Sequence, residues 1–282
     1  MPFAHSLILM QDFEFLRFVT IGQYLPTGSV VHRLDPRARL LAGFFLLAAV
    51  TAAPRWTGLV IALIVLLAAL VVARIPVGYA LKGLLPPLPF IAFLAILQVF
   101  FGLRGETVTP LWTWGPASIS TASLLNGAML VLRFAALILT ISWLSFCIST
   151  TEIVRALDAL LAPLAKLGLP VYAFVLMVQV TLRFLPLLAQ EAERIAKSQA
   201  SRGAEWGTGR GGLLRRARQA LPLLVPLFLA GLQRAENLAL AMEARGYQGG
   251  AGRTTMTPLR FRPADAMVLA MAAGLAALVI CM

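Results

Sequence analysis

Ionisable chemistry is scarce in this chain, and the scarcity excludes more than any motif includes. Its 282 residues hold 2 cysteines and 2 histidines. Cys147 and Cys281 each lie inside an apolar stretch, so they build neither a disulfide framework nor a thiolate cage. His5 and His32 are far apart in sequence, a spacing that offers no pair of metal ligands. Charged residues make up 13% and hydrophobic ones 60%, whereas soluble chains run at about 25% charged. A water-soluble domain is excluded. Acids are the rarer charge, 12 against 24 Lys and Arg. Asp265 stands at the very start of an apolar run, whereas a proton-coupled carrier holds ionisable groups near mid-membrane.

Catalytic signatures are missing as well. No P-loop, no H-E-x-x-H and no G-x-S-x-G occurs. The segment Gly207-Thr208-Gly209-Arg210-Gly211-Gly212 is glycine-rich but has no lysine–hydroxyl pair and follows no strand. We therefore expect no catalytic residue, no cofactor and no metal site. Ser6–Met10 is too short an apolar core for a secretory signal, and no basic residue precedes it.

What remains is apolar runs and their punctuation, which predict an all-α polytopic membrane protein. Residues 1–17 give no reading. Asp35 is placed to cap a helix opening at Pro36, with Arg33, Arg37 and Arg39 at the membrane surface. Leu40–Ala53 and Thr57–Ala73 form a hairpin of spans around Pro54-Arg55-Trp56. A third run follows Pro86-Pro87-Leu88-Pro89 and reaches Gly102. Trp112 and Trp114 then mark an interfacial loop. Ala122–Cys147 is a fourth span, and Pro263–Met282 a fifth. Arg133, inside the fourth, is either functional, paired with a polar group of a neighbouring helix, or snorkelling.

Between the fourth and fifth spans the character changes. Glu152–Leu167 is amphipathic, with Thr151 as its expected N-cap and Gly168 and Pro170 as its stop. Val171–Ala189 carries Gln179 and Arg183 and is not expected to span. Ala220–Leu232 is broken by Pro222 and Pro226. Most cations, from Arg155 to Arg262, fall in this region, while the loops of the opposite side hold only Arg55 and Arg104. The positive-inside rule then puts the N-terminus and residues 148–263 in the cytoplasm and the C-terminus outside. The expected divisions are 1–39 as an N-terminal cytoplasmic segment, 40–147 as a four-helix membrane bundle, 148–263 as coupling helices and 264–282 as the last span. The net charge of +12 is thus a cytoplasmic-face charge, and no folded basic module points to nucleic acid.

One stretch repeats. Shifted by 43 positions, Gln190-Glu191-Ala192-Glu193 falls on Gln233-Arg234-Ala235-Glu236, and Arg202-Gly203 falls on Arg245-Gly246. Each copy reads as a helix that ends on an arginine and closes with a glycine. Arg-Gly is ordinary helix-stop chemistry, but two aligned copies suggest a repeated function.

These residues carry a resemblance. Ile21-Gly22-Gln23-Tyr24, His32-Arg33-Leu34-Asp35-Pro36-Arg37, Pro163 with Leu167-Gly168-Leu169-Pro170, and the two arginine motifs together resemble the transmembrane T component of energy-coupling factor (ECF) importers. These are ABC transporters for vitamins and transition-metal ions. The resemblance covers roughly Ile21 to Met282 and implies a non-catalytic scaffold in the cell membrane. Its implied partners are two nucleotide-binding ATPases, a small substrate-binding (S-type) membrane subunit and the lipid bilayer. Ser201-Arg202-Gly203 and Ala244-Arg245-Gly246 would couple to the ATPases. The first copy has Ser201 where the family pattern has alanine. His32, Asp35, Pro36, Arg37, Pro163, Gly168 and Pro170 would position the helices. Three rivals stand beside this: a conventional ABC permease, a membrane enzyme or scaffold acting on lipid, and a secondary carrier.

Overall fold

The computed structural model describes residues 24–101, 112–114, 117–203, 213–249 and 259–282. It contains nine α-helices among these residues: α1 (Pro36–Ala52), α2 (Trp56–Val72), α3 (Val77–Lys82), α4 (Leu88–Phe101), α5 (Thr121–Cys147), α6 (Thr150–Ala165), α7 (Val171–Ser201), α8 (Leu213–Ala244) and α9 (Pro263–Cys281). A short antiparallel hairpin, β1 (Trp112–Trp114) and β2 (Ala117–Ile119), precedes α5. The chain is a polytopic all-α membrane protein. The compact units are two: Gly22–Leu160 with Thr257–Met282, and a second that includes Leu161–Met256.

Local chemistry explains where the helices of the first unit begin. The Asp35 carboxylate accepts a 2.9 Å bond from the Arg37 amide while Pro36 fills the first helical position. Ser120 and Ser123 form a capping box at the start of α5. Pro263 opens α9, whose third residue, Asp265, reaches back to the Arg262 amide at 2.7 Å. Helices α2 and α4 are apolar and carry no acid or base, as suits helices wrapped in lipid and protein.

Helix α1 is the centre of this unit, touching α2, α5 and α9. Toward the α5 C-terminus, Leu40 and Leu46 meet Leu66, Leu70, Leu139, Trp143 and Phe146. Toward the other end small residues dominate: Ala49, Ala53, Ala62, Ala136 and Ala276 close around Val50, Leu59 and Val279. Small side chains let membrane helices approach closely. Gly58 shows how closely, since a Cβ there would sit 2.9 Å from the Val279 carbonyl oxygen. Arg133 donates to the carbonyl of Ala53, the residue that ends α1. Of the readings open for it, the bond to a neighbouring helix is the one observed.

Two expectations are corrected, the α6 cap and the break in α8. The N-cap of α6 is Ser149, not Thr151: the Ser149 hydroxyl accepts from the Glu152 amide at 3.2 Å and the Glu152 carboxylate accepts from the Ser149 amide at 3.0 Å. Arg39 is buried within the protein, 1% exposed. Trp112 and Trp114 lie on β1 of the hairpin that connects α4 to α5. Pro222 and Pro226 do not break α8, which runs through both. Proline removes one intrahelical bond, and the turns on either side carry the helix across.

Among the described residues, length and composition single out four helices able to cross a membrane: α5, α7, residues 221–244 of α8, and α9. Helices α2 and α4 are apolar but shorter. This criterion therefore admits α7 and residues 221–244 of α8, both of which the sequence reading assigned to the coupling region.

Candidate coupling site

The two arginine motifs sit on helix ends built alike. Helix α7 ends at Ser201, Arg202 is its C-cap, and Gly203 takes φ +83°. The Gly203 amide returns to the Ala200 carbonyl at 3.0 Å. Helix α8 ends at Ala244, and Gly246 takes φ +72°. Its amide reaches the Glu243 carbonyl at 2.9 Å while the Tyr247 amide reaches Met242 at 3.0 Å. That pair of bonds is a Schellman closure, and the left-handed residue it demands is why glycine follows each arginine. Arg202 and Arg245 are exposed, and neither meets a carboxylate among the described residues.

A contact between α7 and α8 joins the copies at matching positions. Arg234 donates to Glu191 at 3.2 Å, and these residues stand 43 apart, the repeat interval. A Cβ at Gly231 would lie 3.7 Å from Leu188, again the matching position of the other copy. Two helices touching through equivalent residues are related locally by a pseudo-twofold axis. A position that differs between the copies, Glu191 in one and Arg234 in the other, is one that faces its counterpart across this axis. Two identical charges there would repel; opposite charges attract. From this pair each helix runs a further ~16 Å to its arginine, so the arms are equal.

Around the contact lie Arg194, 3.6 Å from Glu191, and a Lys197–Glu193 pair at 2.6 Å. Farther back on α8, Leu221, Leu224, Val225, Phe228, Leu229 and Leu232 form an exposed apolar face. Gly168 takes φ +84° at the corner that ends α6, and Pro170 is the N-cap of α7. Pro163 lies in the last turns of α6, and Leu167 and Leu169 at the corner are exposed.

His32, Asp35, Pro36 and Arg37 of the first unit lie around the start of α1, at one end of the bundle. Asp265, 1% exposed, accepts from its own helix start and from the Asp35 amide at 2.8 Å, so one carboxylate serves the N-termini of both α1 and α9. Positive helix ends favour such a buried anion. Arg39 donates to the Cys147 carbonyl and, at 2.7 Å, to Glu152. Burial raises the Glu152 pKa, but the Arg39 bond and those of Ser149 outweigh it and hold the carboxyl below its usual range. The His32 Nδ1 lies 2.8 Å from the Ser29 hydroxyl, and Tyr24 packs on the His32 ring at 5.7 Å. His32, Asp35, Pro36 and Arg37 thus fall together, joined by Arg39, Glu152 and Asp265, whose roles the sequence did not reveal.

Comparison with known proteins follows from this geometry. The CbiQ family model, described as cobalt transport protein, matches residues 27–256. The energy-coupling factor transporter transmembrane protein EcfT of Ruminiclostridium cellulolyticum is 36% identical over 253 residues, covering 90% of this chain and 92% of its own. That of Acidaminococcus fermentans is 39% identical, covering 88% and 91%, and that of Heliobacterium modesticaldum 38%, covering 92% and 95%. The chain belongs to this family. Membership in the ECF transmembrane family fits a multi-pass membrane subunit of a transporter, as the resemblance implied. It covers both arginine motifs, since residues 27–256 include Arg202 and Arg245.

Proposed function

We propose that this chain couples ATP hydrolysis by two partner ATPases to a substrate-binding membrane subunit that imports a vitamin or a transition-metal ion. The observation that carries this reading is the pair of equal arms, each ending in an exposed arginine and related through the Glu191–Arg234 contact. Two symmetric cationic tips suit two equivalent grooves bearing carboxylates on an ATPase dimer. Residues 148–263 form the cytoplasmic coupling region in this proposal, the N-terminus shares that side, and the C-terminus lies outside. The exposed apolar face of α8 offers the substrate-binding subunit a docking surface, and its leucine-rich, non-directional character suits interchangeable partners. The chain itself is not catalytic in this scheme.

The test is co-purification. ATPases tagged and co-expressed with the Arg202→Ala/Arg245→Ala protein should no longer retain it, while the variant still inserts in the membrane. ATPase recruitment by the double variant at the unaltered level would overturn the coupling role of the tips.

A further inference from the structure

Helices α2 and α9 touch at one end, where Gly58 meets Val279, and part toward the other. Between them, with α1 behind, opens a crevice of about 480 Å³ walled by Leu46, Ala68, Val72, Met267, Met271 and Trp143 among others. Nearly every wall atom is apolar, so water gains no partners inside. Trp143 and Arg39 belong to the wall and are 4% and 1% exposed. Trp143 is one turn, ~6 Å, from the end of α5.

Exposed cations adjoin the wall residues in sequence. Arg33 stands between the wall residues Val31 and Leu34, Arg74 follows Val72 by two positions, and Arg262 precedes Ala264 by two. All three are exposed, and none pairs with a carboxylate among the described residues. The wall offers an acyl chain apolar contact, and the neighbouring cations offer its headgroup charge.

We propose that this crevice binds an anionic phospholipid of the arginine-bearing leaflet. One acyl chain fills the crevice against Trp143, and its phosphate lies among Arg33, Arg74 and Arg262. The attraction of a basic rim for an anionic headgroup sets the lipid preference. This inference is independent of ATPase coupling.

Fluorescence quenching by brominated lipid tests it, since Trp143 is in the wall. The full chain with Trp56, Trp112, Trp114 and Trp206 changed to Phe is placed in phosphatidylcholine bilayers containing dibrominated phosphatidylglycerol or dibrominated phosphatidylcholine. Trp143 should be quenched at a several-fold lower mole fraction of the anionic lipid. Arg33→Gln and Arg262→Gln should each reduce that preference roughly fivefold, and Ala68→Phe, which fills the crevice, should abolish quenching. The surface glutamines leave the packing untouched, so they decide the matter even if Ala68→Phe fails to fold. Equal quenching midpoints for the two lipids overturn the proposal. So does quenching that persists in folded Ala68→Phe, or that vanishes when a co-purified membrane subunit is added, since the crevice would then hold protein.

Discussion

Arg39 is the residue whose loss the first unit should feel most directly. It is 1% exposed and spends its charge on the Cys147 carbonyl and on Glu152. Removing one partner of such a pair leaves an uncompensated charge. Glu152→Gln is therefore expected to lower stability by ~2 kcal/mol at neutral pH, read by thermal unfolding in detergent. The acid dependence has a sign. The folded Glu152 carboxyl lies below its reference value of 4.5, so its contribution is complete above that value and is lost as pH falls through the folded-state pKa. Wild type and Glu152→Gln should converge on acidification, and a gap of constant size across that window would refute the assignment. Little of this was legible in the sequence. The Asp35 cap was, because Asp-Pro acts on its own helix. The burial of Arg39 was not, because its partners lie 108 and 113 residues away.

At the scale of elements, the closing turns of α7 and α8 make a sharp prediction. An alanine at Gly203 or Gly246 must adopt a left-handed conformation at a cost of ~1–2 kcal/mol, which would fray the turn that presents the arginine. Asparagine tolerates that conformation better. Recovery of co-expressed ATPase should thus fall for Gly246→Ala and stay near normal for Gly246→Asn; equal losses would separate the arginine from its turn. The contact between the helices offers a second test. Glu191→Arg should weaken transport by setting two cations face to face, and adding Arg234→Glu should restore most of it. Failure of the reversed pair to recover would mean that the contact needs these residues for something besides their opposite charges. The repeat itself was visible in the sequence, as were the helix stops, because both are local. That the copies meet at matching positions was not, since no linear pattern says which face of one helix finds the other. Thr151 was mistaken for the α6 cap because Ser149 and Thr151 are both plausible caps, and Ser149 is the one placed to answer the Glu152 amide.

For the whole molecule, the uneven spread of cations predicts orientation. Alkaline phosphatase fused after Met282 should be active, and the same reporter fused at Gln248 should be inactive; the reverse pattern would invert the proposed topology. The bundle also carries a requirement of timing. The amide at the head of the first long helix is answered by a carboxylate 230 residues downstream. Until the ribosome has released the final span, α1 lacks both that acceptor and the broad surface of α9 against which it rests. The nascent protein must therefore wait in the bilayer half-assembled. A chain stopped before Pro263 should be a substrate for membrane quality control, however faithfully its earlier helices were inserted.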